Sequence, residues 1–115
     1  MSTGRGNAAA NAIEASAPVF AALGDPTRLR LLARLCAAGP MSIVRLTSGS
    51  DVTRQAVSKH LNVLAGAGLV RGRRRGRESV WEVEPGQLLA ARRFLDLMSL
   101  WWDDVLGRLK AAVED

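Results

Sequence analysis

Apolar residues recur at helical spacing in the segment between Asp25 and Pro40. Aspartate followed by proline is a strong helix start, because the carboxylate accepts from unpaired backbone N–H groups and proline has no N–H to leave unpaired. Gly39-Pro40 ends the segment. The pattern therefore predicts a helix that begins at Pro26. Its predicted apolar stripe consists of Leu29, Leu32, Ala33 and Cys36, widened by Leu31 and Leu35.

Upstream of this helix the pattern is weaker. Residues 1–12 are rich in glycine, asparagine and alanine without periodic apolar anchors, which predicts a disordered tail before one domain that spans 13–113. A short helix is predicted next, and Gly24 ends it. The apolar side of this short helix consists of Ile13, Val19, Phe20 and Leu23.

Two short helices across a tight turn are predicted between residues 42 and 65. Ser42 can cap the first and Thr53 the second, while the polar run 48–51 forms the turn between them. Such a pair is a helix-turn-helix. The apolar positions are Ile43, Val44 and Leu46 in the first helix and Val57, Leu61 and Leu64 in the second.

The face of the second helix opposite its apolar stripe is polar throughout. At 100° per residue, side chains such as Gln55 and Lys59 project away from Leu61, and each can hydrogen-bond a base edge or a phosphate. We therefore predict that this helix reads duplex DNA. The predicted contact residues are Thr53, Arg54, Gln55, Ser58, Lys59 and Asn62.

A basic β-hairpin is predicted after the second helix. Residues 69–71 and 79–83 have strand patterns, with Trp81 and Val83 on one face, and the Gly-Arg-Arg-Arg-Gly-Arg run 72–77 forms the tip between them. A tip of this kind can be merely a solvated charged loop. We favour DNA contact, because five arginines between 71 and 77 repel one another and the nearest acid in sequence is Glu78. The predicted contacts are Arg73, Arg74, Arg75 and Arg77.

The last segment, about 87–113, is predicted as a long helix whose apolar face is wider than one small core requires. We expect this helix and the short helix before Gly24 to pack against a second copy of the chain. A small-ligand pocket beside Trp101 and Trp102 stays open as an alternative use of this face. The predicted interface consists of Val19, Phe20, Leu23, Leu95, Met98, Trp102, Val105 and Leu109.

Charge supports a polyanionic partner through its placement. The net charge is +5, and eight basic residues against one acid, Asp51, lie between Arg45 and Arg77. Cys36 is the only cysteine and no long apolar run occurs, so we expect no disulfide, no membrane segment and a cytoplasmic location. One cysteine and one histidine, His60, are too few for a transition-metal site, so no metal or other cofactor is predicted.

Four motifs occur together in a characteristic order: Leu-Gly-Asp-Pro-Thr-Arg (23–28), Gln-Ala-Val-Ser-Lys-His-Leu-Asn-Val-Leu (55–64), Gly-Leu-Val (68–70), and Gly-Arg (76–77) before Val-Trp-Glu-Val (80–83). In this combination the chain closely resembles the ArsR/SmtB family of bacterial repressors. The resemblance implies a mainly α winged helix-turn-helix with a small β-hairpin, in the order α-α-α-α-β-β-α. It also implies dimerisation through the terminal helices and repression relieved by an effector.

The chain departs from the metal-sensing members of that family. Their thiolate pair would fall near residues 42–46, which contain no Cys or His, and the last helix offers no His beside Asp96, Asp103 and Asp104. We therefore expect a homodimeric, non-metal-sensing repressor that binds a near-palindromic operator and responds to an unknown inducer. Small-ligand control through a pocket between the dimer helices remains an alternative.

Two other classes of function are weighed against a DNA-binding repressor. A winged helix that binds protein instead of DNA would carry an apolar outer face between residues 55 and 62, and this face is polar. An enzyme is not expected, because the sequence offers no nucleophile with a base, no metal cluster and no phosphate-binding glycine loop. Cys36 is interpreted as a core filler, with oxidation sensing left open, and His60 as a packing or phosphate-contact residue.

Overall fold

The computed structural model describes the backbone of residues 5–114 and the side chains of residues 10–114. Five helices and three strands follow one another in a mainly helical domain that carries a small antiparallel sheet. The elements in chain order are α1 (Arg5–Leu23), α2 (Pro26–Ala38), β1 (Met41–Ser42), α3 (Ile43–Ser48), α4 (Arg54–Gly66), β2 (Val70–Arg75), β3 (Glu78–Val83) and α5 (Pro85–Glu114).

Helix α1 begins earlier than the sequence pattern predicts. Residues 5–12, predicted as part of a disordered tail, are helical, and only 1–4 of that predicted tail lie outside the described residues. An alanine-rich segment needs no apolar stripe to be helical, because alanine has the highest intrinsic helix propensity. The predicted end at Gly24 is confirmed, since α1 ends at Leu23.

The start of α2 is confirmed, but its buried face is rotated from the predicted one. Asp25 is the N-cap and its side chain accepts from Arg28 N. The helix buries Leu31, Leu32 and Leu35, whereas Leu29 and Cys36 are exposed. The interpretation of Cys36 as a core filler is therefore wrong. At 100° per residue, Leu31, Leu32 and Leu35 share an arc of about 100°, and Cys36 lies about 40° beyond its edge.

The helix-turn-helix of α3 and α4 is confirmed with both predicted caps. Ser42 Oγ accepts from Arg45 N at 3.2 Å, and Thr53 Oγ1 accepts from Ala56 N at 3.1 Å. Helix α2 is hydrogen-bonded to the end of α3, because Arg34 donates to the carbonyl oxygens of Leu46 and Arg45. The helix pair joins the core through four fully buried side chains, Leu46, Val57, Leu61 and Leu64.

The sheet has three strands in the order β1-β3-β2, one more than predicted. The added strand β1 is two residues long and pairs Met41 with Trp81, so β3 has a partner on each side. Strand β2 continues to Arg75, and only residues 76 and 77 form the turn. The prediction that the whole run 72–77 forms the hairpin tip is therefore wrong, because hydrogen bonding to β3 extends the ladder through most of that run.

Helix α5 follows the sheet directly from Pro85 and packs against α1. Phe94 of α5 meets Phe20 of α1 with ring centroids 6.0 Å apart. Only Ala91 of α5 is buried, although the helix is rich in large apolar residues. The large apolar residues of α5 that stay exposed in the single chain are Leu89, Leu95, Met98, Leu100, Trp101, Trp102, Leu106, Leu109 and Val113.

Gly72 lies beneath the ring of Trp81, its register partner across the sheet. A Cβ added at Gly72 would lie 3.1 Å from ring atoms of Trp81, while a Cβ at Gly66 would meet nothing within 4 Å. We expect Gly72→Ala to lower the free energy of unfolding by about 1–3 kcal/mol, since an overpacked ring must shift. Gly66→Ala, within helix α4, is the control and should raise it by about 0.5–1 kcal/mol. Urea unfolding measures both, and equal effects would contradict the close packing of Trp81 on Gly72.

Candidate nucleic-acid interface

Helix α4 presents a polar face to solvent, and we name this helix the reading helix. Burial of Val57 and Leu61 on one side leaves the predicted contact residues on the other. Thr53 is both a predicted DNA contact and the N-cap of α4, because its hydroxyl accepts the capping hydrogen bond from Ala56 N. The predicted contacts Thr53, Arg54, Gln55, Lys59 and Asn62 are exposed, and Ser58 is half-buried.

The wing, defined as β2, β3 and the turn 76–77, holds its arginines in a fixed register. Alternation along β2 places Gly72 and Arg74 on the face that carries Trp81, and Arg71, Arg73 and Arg75 on the other face. Antiparallel pairing puts Glu82 opposite Arg71 on that second face. The arginines are therefore not equivalent, although the sequence presents them as one run.

Two wing arginines contact carboxylates that are distant in sequence. Arg71 Nε lies 2.8 Å from Glu82 Oε1 and 2.9 Å from Glu84 Oε1, and Arg73 Nε lies 3.5 Å from Glu82 Oε1. The hydrogen bond to Glu82, together with the charge of Glu84, raises the pKa of Arg71 above its ordinary value. Glu78 is the nearest acid in sequence and the only one considered above, whereas strand pairing brings Glu82 and Glu84 beside Arg71 and Arg73.

The other predicted wing contacts form no ion pair with the described side chains. Arg74 and Arg75 at the end of β2 and Arg77 in the turn are all exposed. Among the side chains of residues 10–114, no carboxylate oxygen lies within 4.0 Å of their nitrogens. These three guanidinium groups are therefore free to meet an external anion without first leaving a partner in their own chain.

Arg28 is a structural link that the sequence interpretation missed. Its side chain donates to the carbonyl oxygens of Ala21 and Ala22 at the end of α1, and its Nη1 lies 3.4 Å from His60 Nδ1 on the reading helix. A guanidinium can only donate, so His60 Nδ1 is the acceptor in this contact. Arg28 belongs to the Asp-Pro-Thr-Arg motif, but the helix start predicted from this motif used only Asp25 and Pro26.

The apolar residues of α5 form a face that the chain itself does not cover. At 100° per residue, the five residues of α5 predicted as interface contacts lie within about 80° of arc, and one of them, Trp102, is 63% exposed. Of the predicted partner residues on α1, Phe20 and Leu23 are partly buried, but Val19 is fully buried within the chain. Val19 is therefore a core residue and cannot be an interface contact. We name the set Leu95, Met98, Trp102, Val105 and Leu109, which the sequence predicts as the α5 part of a dimer interface, the dimer face.

Two other features, a metal site and a membrane-spanning helix, are not found in the described part of the chain. In residues 10–114, no group of three or more His, Cys, Asp and Glu side chains comes together in a way that could hold a metal ion. Within the same described residues, no helix is both long and apolar enough to cross a membrane.

Comparison with known proteins places these features among transcriptional regulators. The model of a helix-turn-helix domain matches residues 23–73. The HTH-type transcriptional regulator Rv2034 of Mycobacterium tuberculosis is 43% identical over 75 residues, which are 65% of this chain and 69% of that relative. An ArsR-like transcriptional regulator from Rhodococcus sp. RHA1 is 37% identical with a TM-score of 0.70, covering 85% of this chain and 92% of its own.

A third similar protein is known from solution NMR. It is the homodimeric winged helix-turn-helix DNA-binding domain Mb0332 from Mycobacterium bovis, described as a possible ArsR-family regulator. Its structure gives a TM-score of 0.64 at 26% identity, covering 94% of this chain and 95% of the other.

A polar reading helix followed by a basic hairpin defines a winged helix-turn-helix DNA-binding protein. Within that class, the chain belongs to the ArsR family of transcriptional regulators. The family and the winged fold predicted from the motifs are thereby confirmed, and so is the function of a DNA-binding transcriptional regulator.

Asp25, the cap of α2, gives a pH dependence that can be checked. The hydrogen bond from the backbone N–H of Arg28 lowers the pKa of the Asp25 carboxyl, and the positive charge of Arg28 lowers it further. A lowered pKa contributes stability above the ordinary aspartate value, which is lost as the pH falls through the lower value in the folded protein. We expect wild type to exceed Asp25→Asn in Tm at pH 7, the difference to shrink as the pH falls below the ordinary aspartate value of about 3.9, and to vanish once Asp25 is protonated in the folded protein as well.

Asparagine keeps the capping oxygen, so this comparison isolates the charge. Asp103→Asn on the exposed side of α5 is the control and should follow wild type at every pH. A Tm difference between wild type and Asp25→Asn that does not change with pH would refute the assignment of this charge.

Proposed function

We propose that the chain represses transcription as a homodimer that places two reading helices in successive major grooves of a near-palindromic operator. The observations that carry this proposal are the exposed polar face of α4 and, on the wing, three exposed arginines without carboxylate partners among the described side chains. An unknown inducer would release the DNA. The operator can be found by selecting duplexes from a randomised pool with the purified protein and by footprinting the DNA upstream of its gene.

The reading helix would supply sequence recognition. Gln55 is suited to a bidentate contact with adenine, and Lys59 to the acceptors of guanine. Both lie in the first half of α4, exposed to solvent, and in helix-turn-helix proteins this half meets the base edges. Ser58 and Asn62 would contact a base or a phosphate beside them, and Arg54 a phosphate near the start of the helix.

The wing would supply affinity with little dependence on sequence. Arg74, Arg75 and Arg77 are exposed, and arginine suits both phosphate oxygens and a narrow minor groove. The paired strand holds Arg74 and Arg75 at fixed positions, so these two contacts would fall on defined phosphates beside the major groove that the helix occupies.

A homodimer would cover the dimer face and set the spacing of the two reading helices. The similarity to the homodimeric Mb0332 domain supports this assembly. Half-sites of a palindrome read by such dimers lie about 34–36 Å apart, which is one turn of the duplex. Because α1 packs on α5 and Arg28 connects the end of α1 to His60, the position of the reading helix would depend on the dimer.

Two further parts of the proposal concern what the chain does not do. As a regulator, it would have no catalytic activity, and one Cys with one His would not give control by transition metals. A partner that is duplex DNA would place the protein in the cytoplasm, where the chromosome lies. Titration of the DNA complex with zinc or trivalent arsenic tests the metal part of the proposal.

The two kinds of contact predict different consequences of substitution. Gln55→Ala should weaken binding to the selected operator by about 1–3 kcal/mol and leave random duplex nearly unchanged. Arg74→Ala should weaken both DNAs, and it should make the log–log dependence of affinity on salt shallower by about 2 for the dimer. Fluorescence anisotropy at several salt concentrations measures both effects. If the Gln55 variant weakened both DNAs equally and the Arg74 variant kept the wild-type slope, the assigned roles of the two residues would be wrong.

The dimer face predicts an effect on assembly. Trp102→Glu should give monomers in sedimentation and loss of operator binding, because a buried unpaired carboxylate opposes association. Leu100→Glu is the matched control. It lies two residues away, which is about 200° around α5, and its side chain is equally open to solvent. The control should remain dimeric, and a Trp102 variant that remained dimeric with it would exclude this face.

A further inference from the structure

The wing arginines divide into two groups by their contacts. Arg71 and Arg73 lie beside carboxylates of β3 and the residue that follows it, while Arg74, Arg75 and Arg77 lack such a partner among the described residues. Both groups carry the same charge, but only the second can meet a phosphate without losing an existing ion pair. Any consequence of this division for DNA binding rests on the DNA-contacting role proposed for the wing.

Glu82 is placed to hold both members of the first group. It lies on the central strand β3, and a single oxygen, Oε1, is 2.8 Å from Arg71 Nε and 3.5 Å from Arg73 Nε. Its side chain is only 17% exposed, whereas those of Arg71 and Arg73 are 64% and 50% exposed. The carboxylate is therefore the fixed member of the cluster, and the two longer cations lie over it.

Arg73 depends on Glu82 more than Arg71 does. Arg71 has a second carboxylate, since Glu84 Oε1 lies 2.9 Å from its Nε, but Arg73 has only Glu82 within 4.0 Å among the described side chains. Loss of the Glu82 charge would leave Arg71 paired with Glu84 and would release Arg73. The change in available cations would then be one per subunit.

We propose that Glu82 is a specificity-determining residue, which holds Arg73 away from phosphates and so limits binding to DNA of random sequence. Non-specific binding consists almost entirely of phosphate contacts, and a protein in such complexes can tilt to bring any available cation to the backbone. On its operator the protein is held in one register by the reading helix, so a cation released from Glu82 gains less there. Glu82 thereby widens the difference in affinity between operator and random duplex.

Glu82→Gln tests the proposal, with Glu78→Gln as its control. Both variants gain one unit of charge per subunit, and both sites lie on the same face of β3. Glu78, however, makes no ion pair within 4.0 Å among the described side chains. The probe is a fluorescent duplex of random sequence, long enough for the dimer, with affinity measured by anisotropy across a salt series.

We expect Glu82→Gln to bind the random duplex on the order of tenfold more tightly than wild type at about 0.15 M salt. The log–log salt slope should become steeper by about 2 for the dimer, because each subunit adds one phosphate contact. The gain on the selected operator should be smaller, so the ratio of the two affinities falls. Glu78→Gln should show only the small gain expected from its change in net charge.

A second variant assigns the gain to Arg73. In wild type, Arg73→Ala should change the random-duplex slope little, since this guanidinium is already held. In the Glu82→Gln background the same substitution should remove the added slope. The free energies of the four proteins form a double-mutant cycle, and a coupling term is expected between residues 73 and 82.

Three outcomes would overturn the inference: equal gains for Glu82→Gln and Glu78→Gln, an equal gain on operator and random duplex, or a gain that survives Arg73→Ala. A failure of the proposed function looks different. In that case wild type would enrich no duplex from the randomised pool and would show no salt-dependent binding. Circular dichroism of each variant confirms that the fold is kept, which a Glu→Gln exchange of equal size should not disturb.

Discussion

The orientation of the polar face of α4 depends on the burial of the opposite side of this helix. Val57, Leu61 and Leu64 are fully buried, and Leu46 of α3 is buried with them. Truncating such a side chain in a core costs about 2–5 kcal/mol, so three of them in one stripe fix the rotation of the helix firmly. Because a rotation by one residue is 100°, that stripe also decides that Gln55 and Lys59 face outward. The reading face is thus a direct consequence of the core.

The wing shows the same dependence on packing, expressed through register. Strand β3 has a partner on both sides, and Trp81 lies over Gly72, so β2 cannot slide without losing that contact. This register brings Glu82 and Glu84 to Arg71 and leaves Arg74 and Arg75 open. A run of like charges therefore becomes two sets of arginines with different availability. The effective charge of the wing is smaller than its sequence suggests.

The connection between the terminal helices and the reading helix is also polar and specific. Arg28 caps the last carbonyl oxygens of α1 and reaches His60 on α4, while α1 packs along α5. A movement of α1 relative to α2 would therefore change the contact between Arg28 and His60 on the reading helix. This contact is a physical route by which the packing of the terminal helices and the position of the reading helix can influence each other.

Local sequence patterns were enough to predict the helix-turn-helix, both of its caps, the stripe of Val57, Leu61 and Leu64, and the family. These features rest on interactions between residues at most seven positions apart, together with motifs in fixed order. Packing between distant segments, in contrast, leaves Cys36 exposed, buries Val19, makes residues 41–42 a third strand and brings Arg73 to Glu82. The reason is physical: which side of a helix is covered, and which strands pair, depend on contacts between segments distant in the chain, and local periodicity does not encode those contacts.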